Sequence, residues 1–301
     1  MQPKEITEND ILRSDLAAKN AVANKGVIAT IVMENDNRYS DLEIKEVMDL
    51  VQPVGSEKPA ESNPGIAVSG SEYVVLDSVF RIRSPDGDPA GGALVNIDIQ
   101  GQEPGGPEMC RRQQVYPSAL FLDQIRMLGK VEYPALQRCY SVRMILHPHA
   151  EFRNRTDTYS LSRNGDDRNG AEPYWESCIN IVSYRLGDPS EETDSRSLRL
   201  ANLIFSGDIS VDERRRRIKD EFGFDIGLST LEEVKKSMSM TEEYGRAKFS
   251  EGVELGRTGG REERNIEIAK IMLSTGSGPE YVATCTGLSR EEILRLRNGT
   301  D

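Results

Sequence analysis

"EYVVLDSVFRIRSPDGDPAGGALVNIDIQGQ", residues 72–102, decides how this chain folds. Two apolar runs rich in β-branched residues flank "SPDGDPAGG", a segment dense in turn residues, and together they predict two strands joined by a hairpin loop. The strands are expected at Tyr73–Ile82 and Ala93–Gln100. Side chains alternate faces along a strand. Leu94, Asn96, Asp98 and Gln100 therefore share one face, and Val95, Ile97 and Ile99 turn the other way into apolar packing. In the first strand Val75, Asp77 and Val79 share a face, opposite Leu76, Phe80 and Ile82. A hairpin centred near Gly87 and Asp88 pairs residues whose numbers sum to about 175, which sets Asp77 across from Asp98 with Cβ atoms roughly 4.5–5.5 Å apart.

Two carboxylates that close repel each other, more strongly where water is scarce. Either one of them stays protonated, or a divalent cation bridges them, since hard cations take oxygen ligands and keep several waters. The spacing is also met by ordinary exposed residues on a half-solvated sheet.

Upstream, residues 15–34 read as one helix, with Ser14 as a cap, and "SDLEIKEVMDLV" as a second, capped by Ser40 or Asp41. Residues 52–71 are rich in Pro, Gly and Ser and read as a loop. Downstream come a helix at 111–128, a strand at 140–146, a polar loop at 152–173 and a strand within "CINIVSYRLG". After about residue 190 every periodic segment is helical. The order predicts an α/β core, a mixed sheet flanked by helices, with an all-helical C-terminal extension. The expected divisions are 1–190 for the core, 191–260 for the helical extension and 261–301 for a small helix-turn-helix-like tail. In that tail Val282, Leu288, Ile293 and Leu296 form a little core, and Ser289 and Glu292 stand at capping-box spacing. Gly245, Gly252, Gly256 and Gly260 fall on one face of the preceding helix, as a close-packing stripe or as a weak point.

The 301 residues carry a net charge of −12, with a sequence pI near 4.9. That balance disfavours tight passive binding of nucleic acid, which needs a basic face, but leaves room for a local basic strip. "DERRRRIKDE", residues 212–221, holds such a strip and reads as a solvated helix of acid–base pairs. There is no apolar run long enough to span a bilayer, and the polar, acidic N-terminus is unlike a signal peptide, which points to the cytoplasm. Four scattered cysteines fit reduced, mostly buried thiols. His147 and His149 lack further zinc ligands, and the glycine-rich segments match no phosphate-binding loop.

Asp77, a hairpin and then Asp98-Ile99-Gln100 resemble the PD-(D/E)XK nuclease superfamily, whose signature is an Asp on one strand and an acidic-x-Lys triplet on the next. A branch with Gln in place of Lys, written "EIQ" or "EAQ", comprises the recombination-promoting nucleases and the PD-(D/E)XK nuclease family transposases. Other segments are similar in order: "AAKNAVANKGVIATIV" to that branch's opening helix, "RRQQVYPSALFLDQI" to the helix after the triplet, with Arg112 and Tyr116 on one face, "YSVRMILHP" to the next strand, and "TGLSREEI" to the closing unit.

The resemblance implies a restriction-endonuclease-like core and a Mg²⁺-dependent (or Mn²⁺-dependent) DNA endonuclease that hydrolyses phosphodiesters. Asp77, Asp98 and the Ile99 backbone carbonyl would hold the metal, and Gln100 would position the attacking water. Arg112 and Tyr116 would contact a phosphate or buttress the site. DNA is the implied partner, with self-association through the C-terminal helices and no membrane. Two departures matter. Asp98 is one methylene shorter than the usual Glu, and Gln100 supplies no positive charge. A catalytically weakened nuclease-like scaffold, or an oligomerising interaction protein, is therefore the alternative expectation.

Overall fold

The computed structural model describes residues 8–53, 65–69, 72–76, 78–102, 107–129, 133–161 and 177–298. Its centre is a six-stranded mixed sheet. Strands β1 (Val51–Pro53), β4 (Ser78–Ile82), β5 (Ala93–Gln102), β6 (Arg138–His147), β7 (Arg155–Ser160) and β8 (Ile179–Arg185) lie in the order β1-β4-β5-β6-β8-β7. β5, β6 and β8 run parallel, while β4 and β7 are antiparallel to their neighbours. Parallel neighbours need a crossover, and helix α4 (Pro107–Leu128) supplies it between β5 and β6. The α/β class with a mixed sheet flanked by helices is therefore the one the sequence predicts.

The first strand departs from the prediction. Residues 73–82 are divided between two sheets: β3 (Glu72–Val75) pairs with β2 (Gly65–Ser69), and β4 pairs with β1 and β5. Leu76 consequently packs with Val79 and Leu94, while Phe80 and Ile82 enter the opposite core. A continuous strand forbids that arrangement, because residues three apart face opposite ways. The expected loop at 52–71 contains β2, and the expected polar loop at 152–173 begins with β7. Edge strands such as β7 expose one side to water, so their polar sequence hides them.

The predicted first helix is two, α1 (Glu8–Val22) and α2 (Lys25–Asn35). Asn24 divides them, its side chain accepting from Gly26 N at 2.8 Å. A Cβ at Gly26 would sit 2.2 Å from the Phe224 ring, so only glycine admits this packing. Ser14 is inside α1 and bonds to Ser237 rather than capping. Helix α3 (Ile44–Leu50) starts after Glu43, whose N–H donates to Glu46 at 2.9 Å, in place of the expected Ser40 or Asp41 cap.

One face of the sheet is covered by α2, α5 (Arg196–Ile204) and α6 (Val211–Phe222), with Val95, Ile97, Val142, Met144, Val182 and Tyr184 buried against Ile28, Leu200 and Ile218. Each such side chain contributes about 1.5–3 kcal/mol relative to exposure. The arginine run divides in an unexpected way. Arg215, Arg216 and Arg217 pair with Asp225, Glu213 and Glu221 at the surface. Arg214 is fully buried, and its Nη1 donates to the Ile204 carbonyl at the end of α5 at 2.8 Å. Burial lowers its pKa.

The chain forms two compact units, the first covering residues 6–241 and the second beginning at Glu242. Residue 190 falls inside the first, since α5 and α6 complete its core. Helix α7 (Leu228–Ser274) is continuous through all four glycines of the stripe. In the second unit Ala269 packs with Val282 of α8 (Pro279–Thr286) and Ile293 of α9 (Arg290–Asn298), with Leu288 and Leu296 around them. Gly287 makes the turn at φ +75°, and Ser289 and Glu292 exchange the expected capping bonds. Among the described residues no helix is long and apolar enough to cross a membrane. Among the described cysteines Cys139 is buried, whereas Cys178 and Cys285 are exposed, where buried thiols were expected.

Candidate functional site

The site lies on the α4 side of the sheet. β5 presents Leu94, Asn96, Asp98 and Gln100 there, as alternation requires, and Leu94 packs against Tyr116, Ala119 and Leu120 of α4. Between β4 and β5 the paired residues run from Ser78↔Ile97 to Ile82↔Ala93, the register the hairpin argument expects. Asp77 lies outside the described residues, so its half of the pair is not placed.

Asp98 is 1 % exposed, which removes the reading of a solvated surface acid. Both of its carboxylate oxygens are engaged. Arg143 Nε donates to Oδ2 at 2.9 Å, and Gln100 Nε2 donates to Oδ1 at 2.6 Å. Arg143 stands on β6 directly beside Asp98 in the parallel register. The same row continues through Ser183 on β8 to Asp157 on β7. Gln113 of α4 reaches down to it, its Nε2 donating to Ser183 Oγ at 2.9 Å. Asp157 accepts from Arg155 at 2.8 Å and from Arg185. Arg143 Nη1 and both amide atoms of Asn96 are buried, with no hydrogen-bond partner among the described residues. A cleft of about 490 Å³ opens on this side, lined by Gln113, Gln114, Ser118, Tyr159 and Ile181.

Arg112 and Tyr116 are joined as expected from their spacing, with Arg112 Nε 2.6 Å from the phenol oxygen and the guanidinium 5.5 Å from the ring centre. Tyr116 packs on Leu94, four residues along β5 from Asp98, or roughly 13 Å of strand. Among the described side chains of α4, Gln113 reaches the row of Asp98, a residue that the sequence reading passed over. Arg143 was passed over too. Its signal was present: a charged residue in the middle of the apolar run "YSVRMIL", the anomaly that singled out Asp98 in "LVNIDIQ".

The oxygen donors of Asp98, Ile99 and Gln100 are of the kind a hard divalent cation takes. As they are arranged, they do not fit one. The carboxylate already faces a guanidinium, and a divalent ion on Oδ2 would meet that positive charge at contact distance. Two unit charges 4 Å apart interact by about 4 kcal/mol at an effective dielectric constant of 20, and a doubly charged ion doubles this. Displacing Arg143 would leave a buried cation unpaired, a change that costs about 3–5 kcal/mol in comparable pairs. Among the described residues, no three of His, Cys, Asp or Glu gather into one ligand set.

A second buried charge cluster stands at the end of α2. Asp36 is 2 % exposed and accepts from Arg38 Nε at 2.9 Å and from Arg138 Nη1 at 3.2 Å. Burial pushes its pKa up, but the two guanidinium groups outweigh that and hold it below the ordinary carboxylate value. Burial raises the Tyr39 phenol to about 12 and pushes Tyr140 up as well.

No protein-family model matches the chain, and no curated protein or solved structure matches it either.

Proposed function

We propose that this chain is a catalytically weakened, nuclease-like protein. It is built on the plan of a divalent-metal-dependent DNA endonuclease, and it neutralises its own acidic triplet. The observation that carries this reading is the Asp98–Arg143 ion pair, buried under α4 where the triplet should meet metal and phosphate. The acid and the glutamine of the triplet are side by side at 2.6 Å, on a strand between an antiparallel and a parallel neighbour, which supports the nuclease plan. The engaged carboxylate supports weakened chemistry. DNA is the proposed ligand class, and the second unit, with its small helical core, is the proposed place of self-association.

A second reading, a fully active Mg²⁺-dependent endonuclease using Asp77, Asp98 and Gln100, is favoured by the β4–β5 register. Plasmid cleavage with Mg²⁺ or Mn²⁺ separates the two. The weakened reading expects native protein and Asp98→Ala to cleave within about tenfold of each other, which corresponds to 1.4 kcal/mol of barrier. Strong cleavage lost on either Asp77→Ala or Asp98→Ala would establish the active enzyme instead.

A further inference from the structure

We propose that Arg143 is an internal substitute for the metal ion, and that Asp98 belongs to a latent divalent-cation site which this one side chain closes. The inference rests on reading Asp98 as the nuclease-type acid.

A carboxylate buried on a sheet needs a positive or hydrogen-bonding partner. In a metal-dependent site the ion is that partner. Here it is the Arg143 guanidinium, held at 2.9 Å from Oδ2 by the register of two adjacent parallel strands. The arginine is itself 3 % exposed, so it cannot swing to solvent and release the acid without opening the layer beneath α4. Its fit is incomplete as a purely structural ion pair. Nε is bonded, but among the described residues the buried Nη1 has no partner, and the Asn96 amide, also on the α4-side face, has none for either atom. A pair selected for stability alone would be expected to satisfy those groups. Asn96 and Gln100 share the face of β5 that carries Asp98, and their amide oxygens are hard donors of the kind Mg²⁺ or Mn²⁺ takes once the guanidinium is gone. Substituting an uncharged side chain at residue 143 therefore removes the competing charge and leaves the acid free to take a metal.

The test is Mn²⁺ binding, read by electron paramagnetic resonance of free ion and by calorimetry, on the full-length native chain, Asp98→Asn, Arg143→Met, Arg143→Gln and the double variant Arg143→Met/Asp98→Asn. The native chain is expected to show no Asp98-dependent site. Arg143→Met is expected to gain one at least about 10²-fold tighter than any native site, and the double variant to lose it. Native binding that disappears on Asp98→Asn overturns the proposal, and so does a folded Arg143→Met that gains no site. If Arg143→Met is unfolded without metal, Mn²⁺ should raise its melting temperature in an Asp98-dependent way, and failure to do so also counts against the proposal. Plasmid nicking keeps the two readings apart. Gained Mn²⁺ binding without nicking sinks the nuclease plan and leaves the latent site standing. Strong native nicking that depends on Asp98 sinks the latent site and leaves the nuclease.

Discussion

The two faces of the central sheet are made by the same strands, one residue out of phase, and they could hardly differ more. On one face β5, β6 and β8 present Val95 and Ile97, Val142 and Met144, Val182 and Tyr184. On the other they present Asn96 and Asp98, Ser141 and Arg143, Ser183 and Arg185, and all six are buried. A helix covers both faces, so solvent does not account for the contrast. The first face is held by non-directional burial. The second stays folded only because most of its polar atoms find partners, which is a demanding way to build a layer. The Asp98–Arg143 pair sits at the centre of that polar layer, and the proposed reading makes it the remnant of a metal site.

Substitutions should break this contrast in a graded order. Val142→Asp puts an unpaired charge into the apolar face and is expected to abolish cooperative unfolding altogether, whereas Ser141→Ala, one residue away on the polar face, should leave it intact. Circular dichroism during urea titration reads both. Ile97→Ala opens a cavity on the apolar face and is expected to cost about 2–5 kcal/mol by the same titration. Gln113→Ala removes the α4 amide from Ser183 and should cost less, about 1–2 kcal/mol, and stay two-state. Arg216→Ala removes a surface pair and should leave the urea midpoint unchanged.

Acid adds a further check, because Asp36 sits lower in the folded chain than its ordinary 3.8. A depressed carboxylate contributes stability fully above its unfolded value, and that contribution is lost as pH falls through the lower folded value. Asp36→Asn should therefore weaken the protein at pH 7. The gap from the native chain should shrink only below about pH 3.8, as measured by thermal melts across pH.

Much of this architecture is legible in the residues. The alternation in "ALVNIDIQ" gives both faces of β5, and the turn residues around Gly87 give the β4–β5 register. The little core of Val282, Leu288, Ile293 and Leu296 follows from helical spacing. Other features are not local. β7 reads as a loop because an exposed edge strand needs no apolar pattern, and the division of residues 73–82 depends on which strands flank each half. The burial of Arg214 is invisible within an arginine run, since the partner that selects it is the end of another helix. The ion pair at the site has the same character. Asp98 and Arg143 are 45 residues apart, and only the parallel register of β5 and β6 makes them neighbours.

The most direct test of that pair is a double-mutant cycle by urea unfolding on Asp98→Asn, Arg143→Met and the two combined. Each single variant should lose on the order of 3–5 kcal/mol by stranding a buried partner. The double variant should recover at least about 1.5 kcal/mol of the summed loss. Losses that simply add would show that the two side chains do not hold each other, and the closed site would have no basis.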